Sequence, residues 1–154
     1  MVPWLRLIHI VGAAVLFGTG LAIAYFMLRA HLSRDVRAIA HTARQVVVAD
    51  WLFTATAVAV QPVTGAWLWL EAGYPWDSPW LLVSVALFAL TGACWLPVVW
   101  LQVRMRDMAS AAALNGADLP AQYGRYFRLW FALGWPAFAA VLTIFWLMVF
   151  RPDL

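Results

Sequence analysis

Residues 4–29 read W-L-R-L-I-H-I-V-G-A-A-V-L-F-G-T-G-L-A-I-A-Y-F-M-L-R, and this run decides the fold. It is almost wholly apolar. A membrane helix needs about 20 such residues to cover roughly 30 Å of hydrocarbon at ~1.5 Å per residue. Arg6 followed by Ala22-Ile23-Ala24 resembles a signal peptide and its cleavage site. The apolar run nevertheless continues through Tyr25-Phe26-Met27-Leu28 to Arg29, so it is read as a retained span. Its one titratable group away from the ends is His9, and an ionisable group in a membrane segment is a functional-site hypothesis by default.

The remaining chain agrees with that reading. Of 154 residues, 66% are hydrophobic and 11% charged, with a mean hydropathy of +0.83. Soluble domains run near 45–50% apolar and about 25% charged. Three more segments are long enough to span: 46–70, 80–103 and 128–150. The expected fold is therefore all-α, a single-domain, four-helix up-and-down membrane bundle. The 104–128 connection contains R-M-R-D-M-A-S-A-A-A-L-N-G, which extends the third helix to a stop at Asn115-Gly116.

All ten basic residues are arginine. Arg29, Arg34, Arg37 and Arg44 fall in the first connection, and Arg104, Arg106, Arg125 and Arg128 in the third. The second, E-A-G-Y-P-W-D-S-P at 71–79, carries only acids. This asymmetry predicts a bacterial inner-membrane protein with both termini on the outer, periplasmic side. The net charge of +3 is no nucleic-acid signal, and the bilayer is the expected partner. Trp4, Trp67, Trp69, Trp76, Trp80 and Trp130 lie near segment ends, as in an aromatic belt. Cys94, the one cysteine, excludes an internal disulfide and reads as a small buried hydrophobe.

At 100° per residue, Gly12, Ala13, Leu16, Gly20 and Met27 share the His9 face. Such a groove admits another helix or a flat ligand. A porphyrin on the groove with His9 as its metal ligand is one expectation, since neutral imidazole is the usual haem axial ligand. The others are a packed histidine that donates a hydrogen bond across the groove, and a proton relay. Gln61 and Thr64 lie nearest in depth on the second helix, Ser84 on the third, and Thr143 and Met148 on the fourth. No second histidine shares that level, so a sixth haem ligand would be Met148, water or nothing. Copper bound by His9 with Met27 fails on distance, about 27 Å along one helix, which leaves Met148 as a copper partner. His31 and His41 read as loop histidines, with a second haem or metal site as the alternative. Asp50, beside a helix start, is expected to pair with Arg104 or Arg106. Gln61 must find a partner in the membrane. Prolines 62, 97 and 136 are expected to kink their helices. There is no GxSxG, HExxH, P-loop or Rossmann pattern and no paired membrane carboxylate, so hydrolase and proton-coupled carrier readings have no support.

The blocks A-D-W-L-F-T (49–54), Q-P-V-T-G (61–65), C-W-L-P-V-V-W-L-Q (94–102) and R-M-R-D-M-A (104–109) resemble the bacterial family catalogued as domain of unknown function 2269. That resemblance implies an integral membrane protein without an assigned activity. Arg6, His9, Phe17, Gly20, Leu21, Arg29 and His31 are similar to the first helix of HemJ-type protoporphyrinogen oxidases, and the layout to CopD-type copper-resistance proteins. The HemJ resemblance implies haem b ligation by His9. The lysine that the HemJ pattern uses in a later helix has no counterpart, so protoporphyrinogen oxidation is not carried over. The sequence reading is a haem b-binding membrane protein that exchanges electrons with quinone or a partner membrane protein. His9, Gly12, Ala13, Leu16, Gly20, Gln61, Thr64 and Met148 form its candidate site. A small non-enzymatic subunit of a larger complex is the alternative, and a homo-oligomer is compatible with either.

Overall fold

The computed structural model describes residues 3–152. Helix α1 (Pro3–Ser33) is followed by α2 (Val36–Ala49), a π-helical turn (Asp50–Thr54) and α3 (Ala55–Ala72). Helices α4 (Pro79–Asn115) and α5 (Ala121–Phe150) complete the chain. Because α2, the π turn and α3 run on without a break, four long helices result, each apolar enough to cross a membrane. No strand occurs among the described residues.

The arginine-rich segment expected as a connection is instead largely helix α2. Asp35 caps it, its Oδ1 accepting from the N–H of Arg37 at 2.9 Å and of Ala38 at 3.3 Å. Ile39, Ala40, Ala43, Val46 and Val47 are buried, an apolar stripe at helical spacing. Arg37, His41 and Arg44 lie on the exposed side. Arg34, with φ 58°, turns the chain between α1 and α2, in the left-handed region that non-glycine residues seldom adopt. At the other stop, Gly116 takes φ 61° and its N–H reaches Ala112 O, ending α4 at Asn115.

The core lies toward the arginine-rich end. Ile23, Met27, Ala30, Ile39, Ala43, Leu101, Met105, Ala109, Tyr123, Phe127 and Trp130 form one cluster drawn from α1, α2, α4 and α5. Short side chains at Ala30, Ala43 and Ala109 let the helices approach closely. Toward the end that holds the termini the packing becomes pairwise: α1 lies along α3, and α4 along α5. The pairs are tied there by Phe17, which meets Phe138 and Phe145 edge-on at centroid separations of 5.7 and 5.6 Å. Pro62, Pro97 and Pro136 all sit inside continuous helices. The exposed surface is dominated by large apolar side chains such as Trp4, Val63, Trp135 and Phe150, as lipid requires.

Candidate functional site

Two polar clusters interrupt the apolar packing. The first is centred on His9, and it assembles from α1 and α3 because small residues let the helices touch. Thr64 first satisfies its own helix, its hydroxyl donating to Val60 O at 2.9 Å. The same Oγ1 lies 2.8 Å from His9 Nδ1. A hydroxyl whose proton stays on Val60 O can only accept there, which puts the imidazole proton on Nδ1 and leaves the ring's lone pair on Nε2. Gly65 makes the approach possible, since a Cβ there would lie 3.2 Å from His9 Cε1. Gln61, buried, donates from Nε2 to the main-chain O of His9 at 2.8 Å, which satisfies the mid-membrane amide.

The sequence candidates divide accordingly. His9, Gly12, Gln61 and Thr64 are brought together. The groove itself is covered: the Gln61 amide fills the space at Gly12, where a Cβ would lie 2.5 Å from Nε2. The Phe138 ring of α5 covers Gly20, 3.4 Å from an added Cβ. A porphyrin therefore does not lie flat over Gly12 and Gly20 in this arrangement. Ala13 and Leu16 are partly buried on the same helix, and Met148 is partly buried near the far end of α5. Gly65 went unnoticed in the sequence. Its signal was present in Q-P-V-T-G, where a glycine follows the threonine that faces His9.

The second cluster corrects the expectation for Asp50. It forms no ion pair with Arg104 or Arg106. Arg106 binds its neighbour Asp107 at 2.7 Å, and the Arg104 guanidinium lies over the Trp100 ring, 5.4 Å from its centroid. Asp50 sits in the π turn, 3% exposed, and Oδ1 accepts from Trp95 Nε1 at 3.3 Å. The Gln102 amide donates to Oδ2 at 3.2 Å, while its oxygen accepts from Trp130 Nε1 at 3.2 Å. Trp130 is thereby a buried core residue and not part of an interfacial belt, because its indole N–H has an acceptor inside the bundle. Trp4, Trp67 and Trp76 are exposed, as a belt requires.

The loop histidines separate. His31 is the last-turn residue of α1 and stacks on Phe127 at 3.7 Å between centroids, with Tyr123 beyond at 5.8 Å. His41 is exposed on α2. No group of three or more His, Cys, Asp or Glu residues poised around a metal occurs among the described residues. Cys94 is buried and unpaired.

A family model described as predicted integral membrane protein (DUF2269) matches residues 3–152. No curated protein and no solved structure matches the chain. The chain belongs to the DUF2269 family.

Proposed function

We propose that this DUF2269 membrane protein binds haem b through Nε2 of His9 and serves a redox role. One observation carries the reading: His9 Nδ1 lies 2.8 Å from Thr64 Oγ1. Haem and metal histidines have this arrangement, in which an outer partner of the second ring nitrogen fixes the tautomer and orients the ligand. Bound haem would supply one-electron chemistry. The chain's own residues do the positioning: Thr64 sets the ring's orientation, Gly65 lets it approach α3, and Gln61 holds the backbone beneath it. With the Gly12–Gly20 face covered, only the Nε2 edge of His9 would be left to hold the group. The first-helix likeness to HemJ-type proteins supports the same residue. His9 would hold the group, with Met148 or water as the expected second ligand, and a quinone or partner membrane protein of the bacterial inner membrane would be the redox partner.

The test is an absorption spectrum of the detergent-purified protein after haem supplementation, oxidised and reduced. A Soret band that His9→Ala abolishes supports the reading; no band, or a band unchanged by His9→Ala, overturns it. The covered groove favours a second reading, a small subunit in which His9, Thr64 and Gln61 serve only to lock α1 on α3. That reading expects no cofactor and co-purification with a larger complex. Copper at His9 is separated from both by metal analysis of the same sample.

A further inference from the structure

At the arginine-rich end, the outer surface of the α4–α5 pair carries a polar cluster that neither the core nor the His9 joint uses. The Arg104 guanidinium lies over the Trp100 ring, 5.4 Å from its centroid. That ring meets the Tyr126 ring of α5 at 5.5 Å, tilted by 56°. Gln122, one turn earlier on α5, donates from Nε2 to the Tyr126 hydroxyl at 2.7 Å. Arg104 and Gln122 are exposed and Tyr126 is partly buried, while Trp100 is 50% exposed. Asp107, the acid one turn beyond Arg104 on α4, is bound by Arg106 at 2.7 Å. The Trp100 ring steadies the Arg104 guanidinium without neutralising it. Residues 96, 100 and 104 follow one another at helical spacing on one face of α4. Leu96 is 66% exposed, so this face passes from an aliphatic side chain through an indole to a cation. Trp100 therefore marks the level at which hydrocarbon gives way to headgroups.

We propose that Arg104, Trp100 and Tyr126 bind the headgroup phosphate of an anionic phospholipid. The cluster offers donors. A guanidinium has only N–H groups to give, and an indole N–H likewise only donates. Because the Tyr126 oxygen accepts from Gln122, its own proton is left for a further acceptor. A phosphodiester is the complement: acceptor oxygens alone and one negative charge, for which arginine is well suited. A zwitterionic headgroup would add an ammonium, and the acid nearest Arg104 along α4 is already held by Arg106. Phosphatidylglycerol, with one charge and no ammonium, is the simplest lipid of the class, and its acyl chains would run beside Leu96.

Native mass spectrometry of the delipidated protein in detergent, titrated with phosphatidylglycerol or with phosphatidylcholine of the same acyl chains, tests the site. The first phosphatidylglycerol is expected to bind about fivefold or more tighter than phosphatidylcholine. Arg104→Gln removes that preference. Tyr126→Phe, which keeps the ring and deletes the hydroxyl, weakens binding about two- to fivefold. Arg44→Gln removes the same charge from exposed α2, outside the cluster, and leaves the preference intact. Equal binding of the two lipids overturns the proposal, as does a preference that survives Arg104→Gln. A preference lost equally in Arg44→Gln also overturns it, since diffuse attraction to the arginine-rich end then accounts for the binding. Displacement of the lipid by inorganic phosphate at constant ionic strength would mark a site for the free anion and likewise sinks the lipid assignment. Should Arg104→Gln fail to fold, the unaltered protein and Tyr126→Phe decide: no preference between the lipids, or binding unaltered by Tyr126→Phe, refutes the site.

Discussion

Replacing Gly12 by alanine tests the joint between α1 and α3 directly. The new Cβ would lie 2.5 Å from Gln61 Nε2 and 3.6 Å from its Cδ, so the amide must move and its 2.8 Å bond to His9 O breaks. Side-chain hydrogen bonds between membrane helices average about 0.6 kcal/mol and reach about 1.7. The obstructing atom is the far end of a flexible side chain, so overpacking adds only the low end of its usual range, about 1 kcal/mol. Alanine's better helix propensity returns roughly 0.5–1 kcal/mol, for a net loss of about 1–2 kcal/mol. Gly18 is the control on the same helix, since an added Cβ there meets nothing within 4 Å. Gly18→Ala is expected to be neutral or to stabilise by up to about 0.5–1 kcal/mol. Reversible unfolding in mixed micelles, followed by SDS titration, measures both. On a Gln61→Ala background the obstruction is gone, so Gly12→Ala should then behave like Gly18→Ala. The coupling so measured should be about 1–3 kcal/mol. Equal stability of Gly12→Ala and Gly18→Ala, or no coupling to Gln61, would refute the packing account.

Three further outcomes follow from the same contacts. Thr64→Val removes the acceptor of His9 Nδ1–H and should cost about 1 kcal/mol in unfolding experiments. If His9 holds haem, the same change should weaken haem binding by about 10–100-fold in a titration. Gln102→Ala leaves Asp50 Oδ2 and Trp130 Nε1 without the partner that joins them, an expected loss of about 1–3 kcal/mol, with a changed tryptophan emission as a second readout. Phe17→Ala deletes two ring contacts between α1 and α5. It should loosen the terminal end of the bundle before the arginine-rich end, visible as faster amide exchange there than near Met105.

Much of this architecture could be read from residues alone. Apolar runs of helix-spanning length placed all four helices, and Asn115-Gly116 marked where α4 stops. Helix α2 was missed because Arg37, His41 and Arg44 interrupt its apolar residues and keep it short of a membrane-length run, although Ile39, Ala43, Val46 and Val47 already repeat at helical spacing. The π turn could not be read at all. One inserted residue rotates everything after it by about 100°, so the faces of α3 cannot be extrapolated from those of α2. That rotation explains the failure at Asp50, whose partners depend on where α4 presents Trp95 and Gln102 and not on which arginine is nearest in depth. Of the small residues expected to share the His9 face, Gly12 and Gly20 meet other helices. What covers them, Gln61 at Gly12 and Phe138 at Gly20, is a matter of how whole helices dock.

The uneven placement of the core also has a mechanical meaning. Helices clamped by the core at one end are closed at the other by the short 73–78 connection, by Arg151 donating to the Tyr74 hydroxyl, and by Phe17. The α1–α3 and α4–α5 pairs are therefore tied at both ends, and the polar joint at His9 sits beside the lighter of the two ties.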